Sequence, residues 1–240
     1  MTIYDVNLLK REEIAEGTMA FHFSRPAGFG FTPGQAVDVV LTDRPDADAQ
    51  SSRHAFSLVS APFENVLVVA TRMRDSTYKR VLGALQVGSA ARIDGPFGSF
   101  ALHSDRARPA VFIAGGIGIT PFMSIVRQAA NDRLRQRLWL LYSNRRPEDA
   151  AFLPELQALE RRNKEFRLLA TMTEMGKSGR AWEGETGMID EKLVKRINRD
   201  LPAPVYYIAG PPAMVESMRS MLTGIGVDAQ EIRTDEFYGY

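Results

Sequence analysis

Residues 110–121, Ala110-Val111-Phe112-Ile113-Ala114-Gly115-Gly116-Ile117-Gly118-Ile119-Thr120-Pro121, carry the reading on which the fold turns. Five apolar residues in a row describe a strand covered on both faces, as in a parallel sheet between helix layers. Glycines at 115, 116 and 118 then allow a tight turn, and Pro121 suits the first turn of a helix, where its missing N–H removes no bond. Unpaired N–H groups and the positive end of a helix dipole meet in this loop, an arrangement that suits a pyrophosphate. A strand-to-helix turn with no ligand reads the same way, so the loop alone does not assign a function.

The same grammar continues toward the C-terminus. Apolar runs at 137–142, 167–171 and 205–209 are each followed by helix-compatible sequence, with Pro212 just inside the last helix. Residues 109–240 therefore read as a doubly wound α/β domain. Toward the N-terminus the pattern is different. Short β-rich runs at 3–8, 19–23, 36–41, 66–73 and 90–93 are separated by turn signals such as Pro33-Gly34, Ala61-Pro62 and Gly95-Pro96, and one helix is predicted over 78–85. Residues 1–104 read as an antiparallel β-barrel, and the polar stretch 103–108 as the connector.

Composition narrows the function classes. The chain has 240 residues, 45% hydrophobic and 25% charged, the profile of a folded globular protein. A net charge of +1 gives no field for holding nucleic acid. No stretch approaches the roughly 20 apolar residues that span a bilayer, and no basic segment followed by an apolar core marks the N-terminus, so a cytoplasmic location is expected. Cysteine is absent, which excludes a cysteine-ligated iron–sulfur cluster and leaves redox chemistry to an organic cofactor. Of the clustered arginines, Arg127, Arg133, Arg135 and Arg137 read as solvated helix and loop, whereas Arg145 and Arg146 follow a strand directly.

Four segments carry candidate chemistry. The loop at 115–121 lacks the third glycine of the common dinucleotide fingerprint, and no acidic residue ends the next strand to hold a ribose 2′-hydroxyl. Instead Ser143-Asn144-Arg145-Arg146 offers a hydroxyl and guanidinium groups suited to a 2′-phosphate, which tilts the nucleotide toward NADPH over NADH. Arg53-His54-Ala55-Phe56-Ser57 combines cation, aromatic and hydroxyl in one strand-like stretch, groups a flavin requires. Asp75-Ser76-Thr77 opens a helix and serves either as an N-cap or as a phosphate site. His22 and His103 read as structural or surface residues, Trp139 as core and Trp182 as a packed loop aromatic near the nucleotide segment. Met214, Met218 and Met221 form a core stripe at helical spacing.

Taken in order, residues 56–62, 95–100, 115–121, Ala209-Gly210-Pro211-Pro212 and the terminal Glu236-Phe237-Tyr238-Gly239-Tyr240 resemble the ferredoxin–NADP reductase superfamily along nearly the whole chain. The resemblance implies a barrel that binds FAD, an α/β domain that binds NADPH or NADH, and hydride transfer between the two at their interface. It places Phe56 and Ser57 at the isoalloxazine and Ser76 and Thr77 at the FAD pyrophosphate. Gly115, Gly116, Gly118, Thr120, Gly210 and Pro211 fall beside the nicotinamide dinucleotide, and Glu236 with Phe237 on the far side of the flavin. Two positions depart from the pattern. His54 occupies the arginine position of the flavin motif while Arg53 falls one residue early, so either His54 contacts the phosphate or Arg53 reaches round. Ala209 replaces a cysteine common in the family.

The implied activity is a flavoprotein reductase that takes electrons from NAD(P)H to a separate acceptor, such as ferredoxin, flavodoxin, an oxygenase component or a small oxidant. A non-catalytic flavin-binding or regulatory subunit is the alternative, and a flavin-free dehydrogenase comes last because it gives the barrel no role.

Overall fold

The computed structural model describes residues 2–41 and 52–238. Two six-stranded sheets organise these residues. The first comprises β1 (Thr2–Ala15), β2 (Thr18–Ser24), β3 (Ala36–Leu41), β4 (Arg53–Ser57), β5 (Val66–Arg72) and β6 (Ala90–Phe97), with α1 (Thr77–Ala84) between the last two strands. Its order is β4-β3-β6-β1-β2-β5, antiparallel throughout. Strand β1 serves two partners: residues 2–7 pair with β6, and residues 8–15 pair with β2 across two register shifts. Such irregularities bend a strand, and the bend brings the sheet's ends together. Leu58 bridges Val69, and Val59 N–H donates to the Val68 carbonyl at 2.8 Å, closing a barrel.

Alternation fills the barrel's interior. In β3, Val37, Val39 and Leu41 point inward, and Phe21, Phe23, Phe56, Leu58, Leu67 and Ile93 join them in one buried cluster. Helix α1 covers this core with Tyr78 and Leu82, and the Tyr78 hydroxyl donates to the Val39 carbonyl at 2.9 Å.

The second sheet is parallel. It comprises β7 (Ala110–Gly115), β8 (Leu138–Asn144), β9 (Phe166–Met172), the short β10 (Glu185–Thr186), β11 (Val205–Gly210) and β12 (Ile232–Glu236). Helices α2 (Thr120–Asn131) and α3 (Leu153–Arg162) belong to the core on one face, and α4 (Glu191–Asn198) and α5 (Pro212–Gly224) to the core on the other. Every residue of β7 and β11 is buried, as their unbroken apolar sequences require. Strand β12 was not anticipated, because its sequence Ile-Arg-Thr-Asp-Glu carries one apolar residue. It exists because it completes the backbone pairing of β11 at the sheet edge.

The order β10-β9-β8-β7-β11-β12 reverses between β7 and β11. In an open α/β sheet a ligand crevice forms at this reversal, beyond the C-terminal ends of the strands. The barrel packs beside that crevice. Ala20, Val59, Val68 and Ala70 share a buried cluster with Phe112, Phe122 and Met123. Ser124 Oγ donates to the Ser60 carbonyl at 2.7 Å, and Glu16 N–H donates to the Glu148 carbonyl at 2.8 Å. Arg127 departs from the solvated role its sequence context suggests. Its guanidinium is largely buried, bonded to Glu155 at 2.7 and 2.8 Å and to the Val59 carbonyl at 3.3 Å, and so ties the halves together.

Candidate functional site

The crevice at the β7/β11 reversal opens into a cleft of about 590 Å³. Its floor is backbone. Gly116 has φ +54° and faces open space where a side chain would stand, so the glycine-rich turn presents its amides to the cleft without obstruction. One wall is apolar, formed by Ile117, Met188, Ile189, Met214, Met218 and Phe237. Met214 and Met218 therefore line the site as well as packing on the core, which the helical spacing had assigned to the core alone.

The rest of the lining is polar and cationic, with Arg72 and Arg74 from the barrel and Ser143, Asn144, Arg145 and Thr173 from the parallel-sheet half. Asn144 is 5% exposed, and neither its Oδ1 nor its Nδ2 has a hydrogen-bond partner. A buried amide left unsatisfied is costly, and a ligand with donors and acceptors in this cleft would satisfy it. The cleft thus fits a nicotinamide dinucleotide, with small backbone, an apolar wall and cations in one lining.

Asp149 organises the cationic end. Its carboxylate is bonded by Arg72 at 3.0 Å, Arg145 at 3.1 Å and Arg146 at 2.9 Å, and Arg146 also reaches Glu16 at 3.1 Å. Burial works against this carboxylate's charge, but the surrounding guanidiniums outweigh it and hold Asp149 below the usual carboxylate range. The three arginines are thereby fixed in direction, and Arg145, half exposed, keeps a face toward the cleft.

Where β12 runs beside β11, the two halves meet a second time. Phe237 N–H donates to the Gly210 carbonyl at 2.9 Å, and Asp235 Oδ2 accepts from Ser57 Oγ at 3.5 Å across the interface. Burial pushes the Asp235 carboxyl up to about 6, and the Ser57 hydroxyl only partly opposes this. Phe237, two residues on, lines the cleft. Behind Ser57 on the barrel side, His54 stacks on Phe56 with centroids 4.8 Å apart and leans on Tyr78 at 5.4 Å, while Lys79 lies buried in the first turn of α1. The hydroxyl, carboxyl and aromatic groups brought together here are a set that fits a flavin.

A model of the oxidoreductase NAD-binding domain matches residues 112–220. Ferredoxin--NADP reductase B of Sorangium cellulosum is 27% identical, over 98% of this chain and 97% of that protein. The glycine betaine monooxygenase reductase subunit of Chromohalobacter salexigens is 26% identical over 92% of this chain, which spans 60% of that longer protein. Among solved structures, a ferredoxin NADP+ reductase from Neisseria gonorrhoeae with bound FAD and NADP superposes with a TM-score of 0.83 over 98% of both chains, at 21% identity. The chain is similar along nearly its whole length to a ferredoxin--NADP reductase and shares the two-part fold of that structure.

Within this fold, the residues singled out from sequence separate into distinct places. Gly115, Gly116, Ser143, Arg145, Pro211 and Phe237 all line the cleft. Gly118 and Thr120 do not. Gly118 lies against β11, where a Cβ would stand 2.2 Å from the Ala209 carbonyl oxygen, and the buried Thr120 hydroxyl donates to the Ile117 carbonyl at 3.1 Å. Both shape the turn from behind. Gly210, at φ +156°, lets β11 approach Gly115 closely. Arg146 turns away to Asp149 and Glu16.

On the barrel side, Arg53 points to the face opposite His54. It is bonded to Asp38 at 2.8 Å and to Asp94. Ser76 caps α1 by accepting from Lys79 N–H at 3.2 Å, and Thr77 accepts from Arg80 at 3.4 Å. Phe56 is 3% exposed within the barrel core. Glu236 is exposed and accepts from the Tyr238 hydroxyl.

The carboxylate brought to Ser57 is that of Asp235, which the sequence reading passed over. Alternation along a strand was the available signal: in β12 Asp235 is half-buried, and Glu236 beside it is exposed. Trp182 donates from Nε1 to the Glu185 carbonyl at 2.8 Å and lines a separate surface cavity. His22 pairs with Glu12 at 2.8 Å, and His103 is buried between Tyr207 and Gln136, anchoring the connector.

Among the described residues no group of acidic or histidine side chains is placed to hold a metal, and no helix is long and apolar enough to cross a membrane.

Proposed function

We propose that this chain is an NAD(P)H-dependent flavoprotein reductase that binds FAD on the barrel side of the interface and the nicotinamide dinucleotide in the cleft, and passes electrons to a separate acceptor. The observation that carries this reading is the meeting of Ser57, Asp235 and Phe237 where the cleft reaches the barrel. FAD supplies hydride acceptance and the division of an electron pair into single electrons. The protein's own work is positioning and proton management. The glycine-rich turn and Arg145 hold the two ends of the dinucleotide, and Phe237 closes the wall between the cleft and the flavin edge. Asp235, poised near neutrality, holds or releases a proton at Ser57 Oγ.

The relatives named as reductase subunits of monooxygenases support a protein acceptor, such as a ferredoxin, a flavodoxin or an oxygenase component. Ser143 and Arg145, with Arg72 and Arg74 opposite, support NADPH over NADH, since a 2′-phosphate gains from several cations. The test is a visible spectrum of the purified protein followed by anaerobic addition of NADPH and then NADH. Flavin bands that bleach fastest with NADPH are the expected result. FAD that binds but is reduced by neither nucleotide would instead identify a regulatory flavin-binding subunit.

A further inference from the structure

We infer that Met188 is the side chain that covers the adenine ring of the bound dinucleotide. The inference rests on the dinucleotide reading of the cleft and concerns which group holds the half that takes no part in hydride transfer.

Six large apolar side chains among the described residues are exposed, and Met188, at 81%, is the most exposed of them. It alone of the six lines the cleft. The other apolar residues of that wall pack into the cores on either face of the sheet, Ile117 and Phe237 into one, and Ile189, Met214 and Met218 into the other. An apolar side chain left in water on the lining of a cleft gains free energy when a ligand covers it.

The backbone around Met188 is held in place. Gly187 N–H donates to the Met172 carbonyl at 2.9 Å, and the Gly187 carbonyl accepts from Thr171 Oγ1 at 2.6 Å. On the other side Ile189 is buried in one cluster with Val194 and Ile197 of α4. A residue pinned on both sides presents its side chain at little cost in order, as a preformed contact does.

Strand order decides which part of the ligand it meets. Met188 follows β10 by two residues and Phe237 follows β12 by one, and β10 and β12 are the two edges of the sheet. Five strand spacings, about 24 Å, separate those edges. The Ser57–Asp235 contact joins the barrel to β12, so a nicotinamide that meets the flavin there lies toward the β12 edge. The adenosine half then runs toward β8, β9 and β10, past Ser143 and Arg145, and its base comes to Met188. A flexible, polarizable thioether suits the face of an aromatic ring, and it offers contact area rather than a hydrogen bond.

The experiment is titration calorimetry of the purified protein with NADP+ and NAD+ and with their adenosine fragments, 2′,5′-ADP and 5′-AMP, comparing wild type with M188A and M188L. In M188A the Kd is expected to rise about fivefold or more, by the same factor for a dinucleotide and for its fragment. M188L is expected to recover most of the loss, and the melting temperature of the ligand-free variants to match wild type. Affinities equal to wild type in M188A would overturn the inference. So would a loss confined to the whole dinucleotide, which would put Met188 at the nicotinamide, or a melting temperature that falls in step with the affinity, which would make its role structural. Wild-type protein that binds neither NADP+ nor NAD+ would overturn the dinucleotide reading itself.

Discussion

The two halves of the site are built from different materials. On the proposed nucleotide side, the site is built largely from backbone: the open φ +54° turn at Gly116, the close approach of Gly118 to β11, and a crevice that the strand order itself creates. On the proposed flavin side it is made from side chains that converge from separate elements, with Ser57 from β4 and Asp235 from β12. A backbone site tolerates little change in volume. A side-chain site tolerates changes of volume but depends on charge and hydrogen bonding. Substitutions on the two sides should therefore fail differently, the first by unfolding or misplacing a loop and the second by altering rate, affinity or pH response.

The largest effect is expected at Gly118→Ala. The new Cβ would stand 2.2 Å from the Ala209 carbonyl oxygen, a backbone atom that cannot step aside. Overpacking of this kind costs about 3 kcal/mol, measurable as a lower denaturant midpoint with the nucleotide site lost alongside. A variant as stable as the parent would refute the backbone account of the nucleotide side.

Next comes D235N, which should lower the rate of flavin reduction about 100-fold by removing a titrating group at Ser57. Its stability should move the other way. Because burial raises the Asp235 carboxyl to about 6 in the folded chain, the folded state holds a proton that the unfolded state releases between roughly pH 4 and 6. Stability contributed by the protonated form is present below that window and is lost as pH rises through it. At pH 7.5 the Asn variant, which carries no buried charge, should be more stable than wild type by about 1–2 kcal/mol, and the gap should close toward pH 4. Thermal melts across that range decide it.

R145Q is a smaller change. It should raise the KM for NADPH about tenfold and leave that for NADH within a factor of two, as seen in steady-state reduction of an artificial acceptor. Equal effects on both nucleotides would show that Arg145 serves the pyrophosphate or the fold instead. Smallest of all is Gly116→Ala. There the space is open and the penalty is the left-handed backbone alone, about 1 kcal/mol, visible as a modest drop in melting temperature. The contrast between Gly116 and Gly118, two residues apart, is the sharpest test of whether the turn is read correctly.

The sequence determined those features that depend on neighbours along the chain. Unbroken apolar runs at β7 and β11 can only be buried on both faces, Pro121 and Pro212 can only stand near helix starts, and alternating runs early in the chain require a sheet with one face inward. Barrel, parallel sheet and glycine-rich turn follow from these local rules.

Tertiary structure decided what depends on partners far along the chain. Strand β12 was invisible because its pairing with β11, not its composition, makes it a strand, and with it went the choice of Asp235 over Glu236. Arg146 and Arg145 look alike in sequence and both bond Asp149, yet Glu16 also engages Arg146, while Arg145 keeps part of its side chain facing the cleft. Charge and hydrogen bonding act through space, so the side chains that do the chemistry are fixed only when distant segments meet.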